Sequence, residues 1–202
     1  MSLSPSSFWS WFRGFADRLP CDDVPHALQD ELLSQLHCYD DRLFFLICTN
    51  TSPCELIITA EGNKEAFQSA DSLVAAAPEL DRWTFIALKP PMGFDFRHTD
   101  GPISIDVSKL WFMPTISSAD PSALGIVVAF PDADLVLENQ SVDTAYTILE
   151  TSIGERSCTN DIAHVAVDDL PEAPEENGYV KLFQLPDYIA FHKRKHRRIT
   201  NG

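Results

Sequence analysis

The densest set of side chains able to do chemistry lies in FDFRHTDG, where Asp95, Arg97, His98 and Asp100 fall within six residues. The segment reads as part of a loop running from Phe94 to Pro102, and loops carry function more often than the elements they join. Asp95, His98 and Asp100 could offer oxygen and nitrogen ligands to a metal. A catalytic zinc site, however, needs three well-spaced protein ligands and an open position, and no HExxH or second histidine pair stands nearby. The simpler reading is a solvated turn with a local Asp–Arg pair. The four residues are the ligand-binding candidates of this chain, and no metal ligand set is assigned.

Other constellations are thinner. Glu61-Gly62-Asn63-Lys64-Glu65 lies between a strand and a helix start, where open sheets bind ligands and helix N-termini favour anions. It has one glycine rather than the Gly-rich run that cradles phosphate, and Asn63 suits an N-cap. Cys158 and His164 are six apart and flank a strand, with nothing to orient them as nucleophile and base. His192 and His196 are four apart and would share a helix face, a spacing that suits a metal. The neighbouring Lys and Arg of HKRKHRR oppose a cation, so the run reads as a frayed basic tail. Adjacent carboxylates such as Asp22-Asp23 and Asp168-Asp169 point apart and read as solvated. The GxSxG, Walker, GxGxxG and SxxK signatures are absent, so no cofactor is assigned and no catalytic residue is named.

Charge narrows the partner class. The chain has 15 Lys+Arg against 30 Asp+Glu, a formal −15. Five of the basic residues sit in the final run, so residues 1–192 hold 10 basic against 30 acidic and carry about −20. Such a body repels nucleic acid and anionic membrane and attracts basic partners. The five cysteines, Cys21, Cys38, Cys48, Cys54 and Cys158, are odd in number and form no CxxC, which points to a reducing compartment. The opening MSLSPSSFWSWFRGFADRL is interrupted by Ser10 and Arg13 and reads as a docked helix rather than a secretory leader. No stretch reaches the length of a membrane span.

The elements that must position these groups follow from periodicity. Ser6 or Ser7 should cap a helix to about Leu19, with Phe8, Trp11, Phe12, Phe15 and Leu19 as its stripe and Trp9 off it. Pro25, capped by Asp23, opens a second helix to about 37–40, and the two should form a hairpin. LFFLICT (43–49) is a continuous apolar run and predicts a buried strand. Leu56–Ala60 returns as its partner. A helix with Ala66, Phe67, Ala70, Leu73, Val74 and Ala77 on one face follows, then the strand Trp83–Leu88. Ile103, Ile105 and Val107 alternate as a strand that Leu110–Met113 extends after a bend. Leu124–Phe130 is a buried strand, about Asn139 to Ile153 a helix, and Ile162 to Val167 the last main strand. Tyr179–Leu185 is a short strand or turn, and Pro186–Phe191 starts a short helix.

The order is therefore α-α-β-β-α-β followed by β-β-α-β. The prediction is an α+β fold: a duplicated ββαβ unit with pseudo-repeats at about 43–90 and 103–170, in a mostly antiparallel sheet covered by helices, preceded by an N-terminal helical hairpin. One domain over 1–192 with a flexible basic tail at 193–202 is favoured over two domains split near Pro90–Gly101.

Residues 8–91 resemble a family of uncharacterised bacterial proteins, through FWSWF, IITAEGNKEAF and LVAAAPELDRWTFIALKPP, and more weakly through ILETSIGE further on. The resemblance implies a bacterial origin and a shared fold, and transfers no catalytic residue. The combined expectation is a non-enzymatic binding or regulatory protein of the bacterial cytoplasm. Its acidic surface would meet a basic protein partner, as an immunity protein meets its toxin, and a homodimer is compatible. The alternative is a hydrolase or transferase with a small-molecule pocket near residues 92–102.

Overall fold

A computed structural model describes residues 3–100, 103–131 and 141–200, with side chains described over the same residues except 103, 141 and 197–200. The predicted helix start at Asn139, the loop end at Gly101–Pro102 and the last two residues of the tail lie outside the described residues. The chain divides into two compact units, Met1–Pro90 and Pro91–Gly202. The sequence favoured one domain over 1–192; the division coincides with the start of the alternative split.

The first unit opens with α1 (Pro5–Ala16) and α2 (His26–Tyr39), the expected helical hairpin. The cap of α1 is Ser4, ahead of the predicted Ser6 or Ser7. Its Oγ accepts from the Ser7 N–H at 3.2 Å, and Pro5 occupies the first turn, where its missing N–H costs nothing. Phe8, Phe12 and Phe15 are buried along one stripe. Trp9, off that stripe, is buried too. Its Nε1 donates to the Leu73 carbonyl at 2.7 Å, tying α1 to α3 (Phe67–Ala75). In α2, Pro25 rather than Asp23 holds the cap position, without a side-chain hydrogen bond.

Three strands complete the unit: β1 (Phe44–Cys48), β2 (Cys54–Thr59) and β3 (Trp83–Ala87), in the order β1-β2-β3. β1 pairs antiparallel with β2, and β3 pairs parallel with β2 across α3. The register puts Phe45, Ile47, Leu56, Ile58 and Phe85 on one sheet face, where they pack with the aromatic stripe of α1. Trp9 and Phe12 meet Phe85 at ring distances of 4.4 and 5.6 Å. Each fully buried Phe of α1 contributes about 1.5–3 kcal/mol of apolar burial.

The second unit repeats the plan. β6 (Trp111–Ile116) and β7 (Leu124–Phe130) form an antiparallel hairpin, α4 (Ser141–Ile153) follows, and β8 (His164–Asp169) returns parallel to β7. The fold is α+β, and ββαβ occurs in each unit, within mixed sheets that also contain parallel pairs. Three features depart from expectation. Ile103–Asp106 does not lead into β6. It is β5, paired back on β4 (Arg97–Asp100), a stretch expected to be loop. Asp106 ends β5 by accepting from Ser108 Oγ at 2.6 Å and pairing with Lys109 at 3.3 Å, which turns the chain before β6.

After α4, Gly154 takes φ +82°, a conformation costly for residues with a Cβ, and an unexpected helix α5 (Glu155–Asp161) begins. The basic run is not a frayed tail over its described part. It belongs to α6 (Leu185–Thr200), which follows the short strand β9 (Val180–Lys181). The four-stranded sheet runs β8-β7-β6-β9. Among the described residues no helix is long and apolar enough to cross a membrane.

Candidate functional site

The structure places the four predicted site residues on or beside the β4–β5 hairpin without converging them. Asp95 precedes β4, and Asp95, Arg97 and Asp100 are exposed. Alternation along β4 sends Arg97 to one face and His98 to the other. Arg97 donates to Ser104 Oγ at 3.0 Å and lies 3.9 Å from Asp106, so its guanidinium is spent on the neighbouring strand. His98 sits opposite Ile105, on the face turned to the core, and is half-buried. The preceding segment is tethered: the Met92 and Gly93 N–H groups donate to Thr151 and Ser152 carbonyls at 2.9 and 3.1 Å. Among the described residues no group of three His, Cys, Asp or Glu side chains is placed to hold a metal.

The other sequence candidates resolve as structure. Asn63 is a cap, its Oδ1 accepting from the Glu65 N–H at 3.2 Å, and Glu61 pairs with Lys89 at 3.0 Å. Cys158 is buried, and desolvation, with Glu150 and Glu155 nearby, pushes its thiol up to about 12. Such a thiol stays protonated at neutral pH, and His164 is exposed on β8. The two do not form a nucleophile and base.

A groove lies elsewhere, along β1. LFFLICT was expected to be buried on both faces, yet β1 is the edge strand of its sheet. Its outward residues Phe44 and Leu46 are 40% and 47% exposed. They are the exposed large hydrophobics among the described residues of the first unit, and they are two apart on one strand. A groove of about 610 Å³ follows this edge, lined by six consecutive residues, Phe45 to Asn50, and by Asp22, Asp23, Val24 and Gln29. Consecutive strand residues point to opposite faces, so a wall made of all of them is the backbone edge itself. The opposite wall is held in place by side chains. Thr49 Oγ1 donates to the Asp22 carbonyl at 2.7 Å, and Gln29 Nε2 donates to the Val24 carbonyl at 2.7 Å. Asp22 and Asp23 are exposed and bring two negative charges to the wall.

The second unit shows how an equivalent edge is filled. There the first hairpin strand, β6, is paired on its outer side by β9, with Trp111 opposite Lys181 and Phe112 opposite Val180. Lys181 Nζ sits 3.9 Å from the Trp111 ring centroid, a cation–π contact. Tyr179, Leu170 and Met113 pack with Trp111 and Ala129, and the Tyr179 hydroxyl donates to Asp168 at 3.1 Å. Among the described residues, the first unit has no strand in the place of β9.

No protein-family model matches the chain, and no curated protein or solved structure matches it. The site is therefore defined by its own geometry. Sequence reasoning passed over it because an apolar run reads alike in a central and an edge strand. The usable signal was the repeat itself, with a YVK strand after one ββαβ copy and none after the other.

Proposed function

We propose that the chain is a non-enzymatic binding protein, of the bacterial cytoplasm, that takes an extended basic segment of a partner protein along the open edge of β1. The observation that carries this reading is the contrast between β6, whose edge is paired by β9 at Trp111 and Phe112, and β1, whose edge has no strand partner among the described residues and is lined by a groove. Strand addition to a sheet edge gains affinity from main-chain hydrogen bonds and specificity from alternate side chains. On β1 those alternate positions would meet Phe44 and Leu46, so apolar residues are favoured at every second place of the partner. Asp22 and Asp23 favour a Lys or Arg at the end of the segment near Cys48–Asn50. A second copy of this chain suits the edge less well, because each copy brings a formal −15. The five free thiols agree with a reducing compartment.

The test uses two eight-residue peptides of alternating apolar and charged residues, one basic and one acidic, titrated into the full chain and followed by backbone NMR. The basic peptide should shift the amides of Phe44–Asn50 and the acidic one should not. Leu46→Lys should abolish the response while changing stability by no more than about 0.5 kcal/mol, since the side chain is exposed. Shifts absent from β1 with either peptide, or confined to the β4–β5 hairpin, would overturn the reading.

A further inference from the structure

Two imidazoles that read as part of a basic tail lie together on α6. Leu185 and Ile189 are buried on this helix, and His192 and His196 continue the stripe at helical spacing. His192 is 5% exposed. Its ring hydrogen-bonds to the Pro121 carbonyl, while its Nε2 is buried and has no hydrogen-bond partner. A neutral imidazole that donates from one nitrogen carries its free lone pair on the other, so the ring presents Nε2 as an acceptor with nothing to accept. The His196 ring lies beside it, 4.4 Å between centroids and tilted by 44°.

This is the arrangement of a metal-ligating histidine: one nitrogen oriented by a backbone carbonyl, the other left for the ion. The positive charge around the pair is partly neutralised. Lys193 is paired with Asp161 at 2.7 Å, and the Asp120 carboxylate interacts with His196. Lys195 still opposes positive charge at His192.

We propose that His192 and His196 form a two-imidazole site for a first-row divalent cation of the nickel–copper–zinc group, with water completing the coordination. Nitrogen ligands select these ions over magnesium and calcium, which prefer oxygen. No third protein side chain among the described residues joins the pair, so the site is open and moderate in affinity.

The experiment uses the untagged, chelator-treated full chain. Zn²⁺ and Ni²⁺ are titrated calorimetrically, and melting is followed with and without Zn²⁺. One ion per chain should bind, the melting temperature should rise with Zn²⁺, and His196→Gln should weaken binding by more than about 10-fold. His98→Gln and His164→Gln should leave binding unchanged. His196 is half-buried, so its variant tests the site even where His192→Gln fails to fold. No binding up to about 1 mM Zn²⁺, equal binding by His196→Gln, or an equal response to Mg²⁺, which would mark the acidic surface, overturns the proposal.

Discussion

The two ββαβ copies use the same connections and finish differently. In the second unit, β6 has β7 on one side and β9 on the other, and β7 lies buried between β6 and β8. In the first unit, β1 has β2 on one side and a groove on the other. A strand edge left open presents unsatisfied N–H and C=O groups, and proteins usually blunt such edges with charge, proline or a bulge. β1 carries none of these: its residues are Phe, Phe, Leu, Ile and Cys. Within one chain, then, the same local plan gains an added strand over the first two residues of β6 in one copy, Trp111 and Phe112, and leaves β1 as the sheet edge in the other. The segment Leu170–Lys181 accounts for the difference, since it supplies both β9 and the side chains that cover Trp111.

The contrast can be broken most sharply by truncation. Phe112 on β6 is fully buried and Phe44 on β1 is 40% exposed. Phe112→Ala should cost about 3–5 kcal/mol in urea unfolding, and Phe44→Ala no more than about 1 kcal/mol. Equal losses would mean that β1 is covered as β6 is, and the comparison would fail. A smaller change should make the second unit resemble the first. Val180→Pro removes a ladder donor from β9, should cost about 1–2 kcal/mol, and should speed hydrogen exchange at Trp111 and Phe112. Unchanged exchange there would show that β9 does not protect the β6 edge.

Acid should act on the second unit through His192. Burial, the neighbouring His196 and Lys195 lower its proton affinity in the fold, against the opposing pull of the Pro121 carbonyl. The unfolded chain therefore takes up the proton first. The stabilisation is complete above the ordinary histidine range near pH 6.5 and is lost as pH falls below it, with a slope of at most about 1.4 kcal/mol per pH unit. Melting curves at pH 7.5 and 5.5 should show it, and His192→Gln should flatten the dependence.

Much of the architecture was legible because turn chemistry and periodicity agree. Pro53, Gly62 and Pro78 bracket β2 and α3, and the aromatic stripe of α1 matches its buried face. What was missed has identifiable causes. Arg97–Asp100 is polar at every position, so its strand character comes from pairing with β5 rather than from its own pattern. α5 hides behind Gly154, which reads as an end and instead restarts a helix. The stripe of α6 was lost because two of its inward positions are histidines. The surrounding Lys and Arg were read as disorder, although both are good helix formers. The candidate site failed for a related reason. Asp95, Arg97, His98 and Asp100 are close in sequence, but β-pleating separates the Arg97 and His98 side chains, whereas the groove gathers residues from 22 to 50 that no short motif could reveal.

The tryptophans have an optical consequence. Of the four indoles, Trp9, Trp11 and Trp83 belong to the aromatic cluster of the first unit, and Trp111 alone belongs to the second, under the Lys181 ammonium. Replacing Trp111 with Phe would leave an emission spectrum that reports on the first unit alone, so the melting of that half could be watched by light without a label.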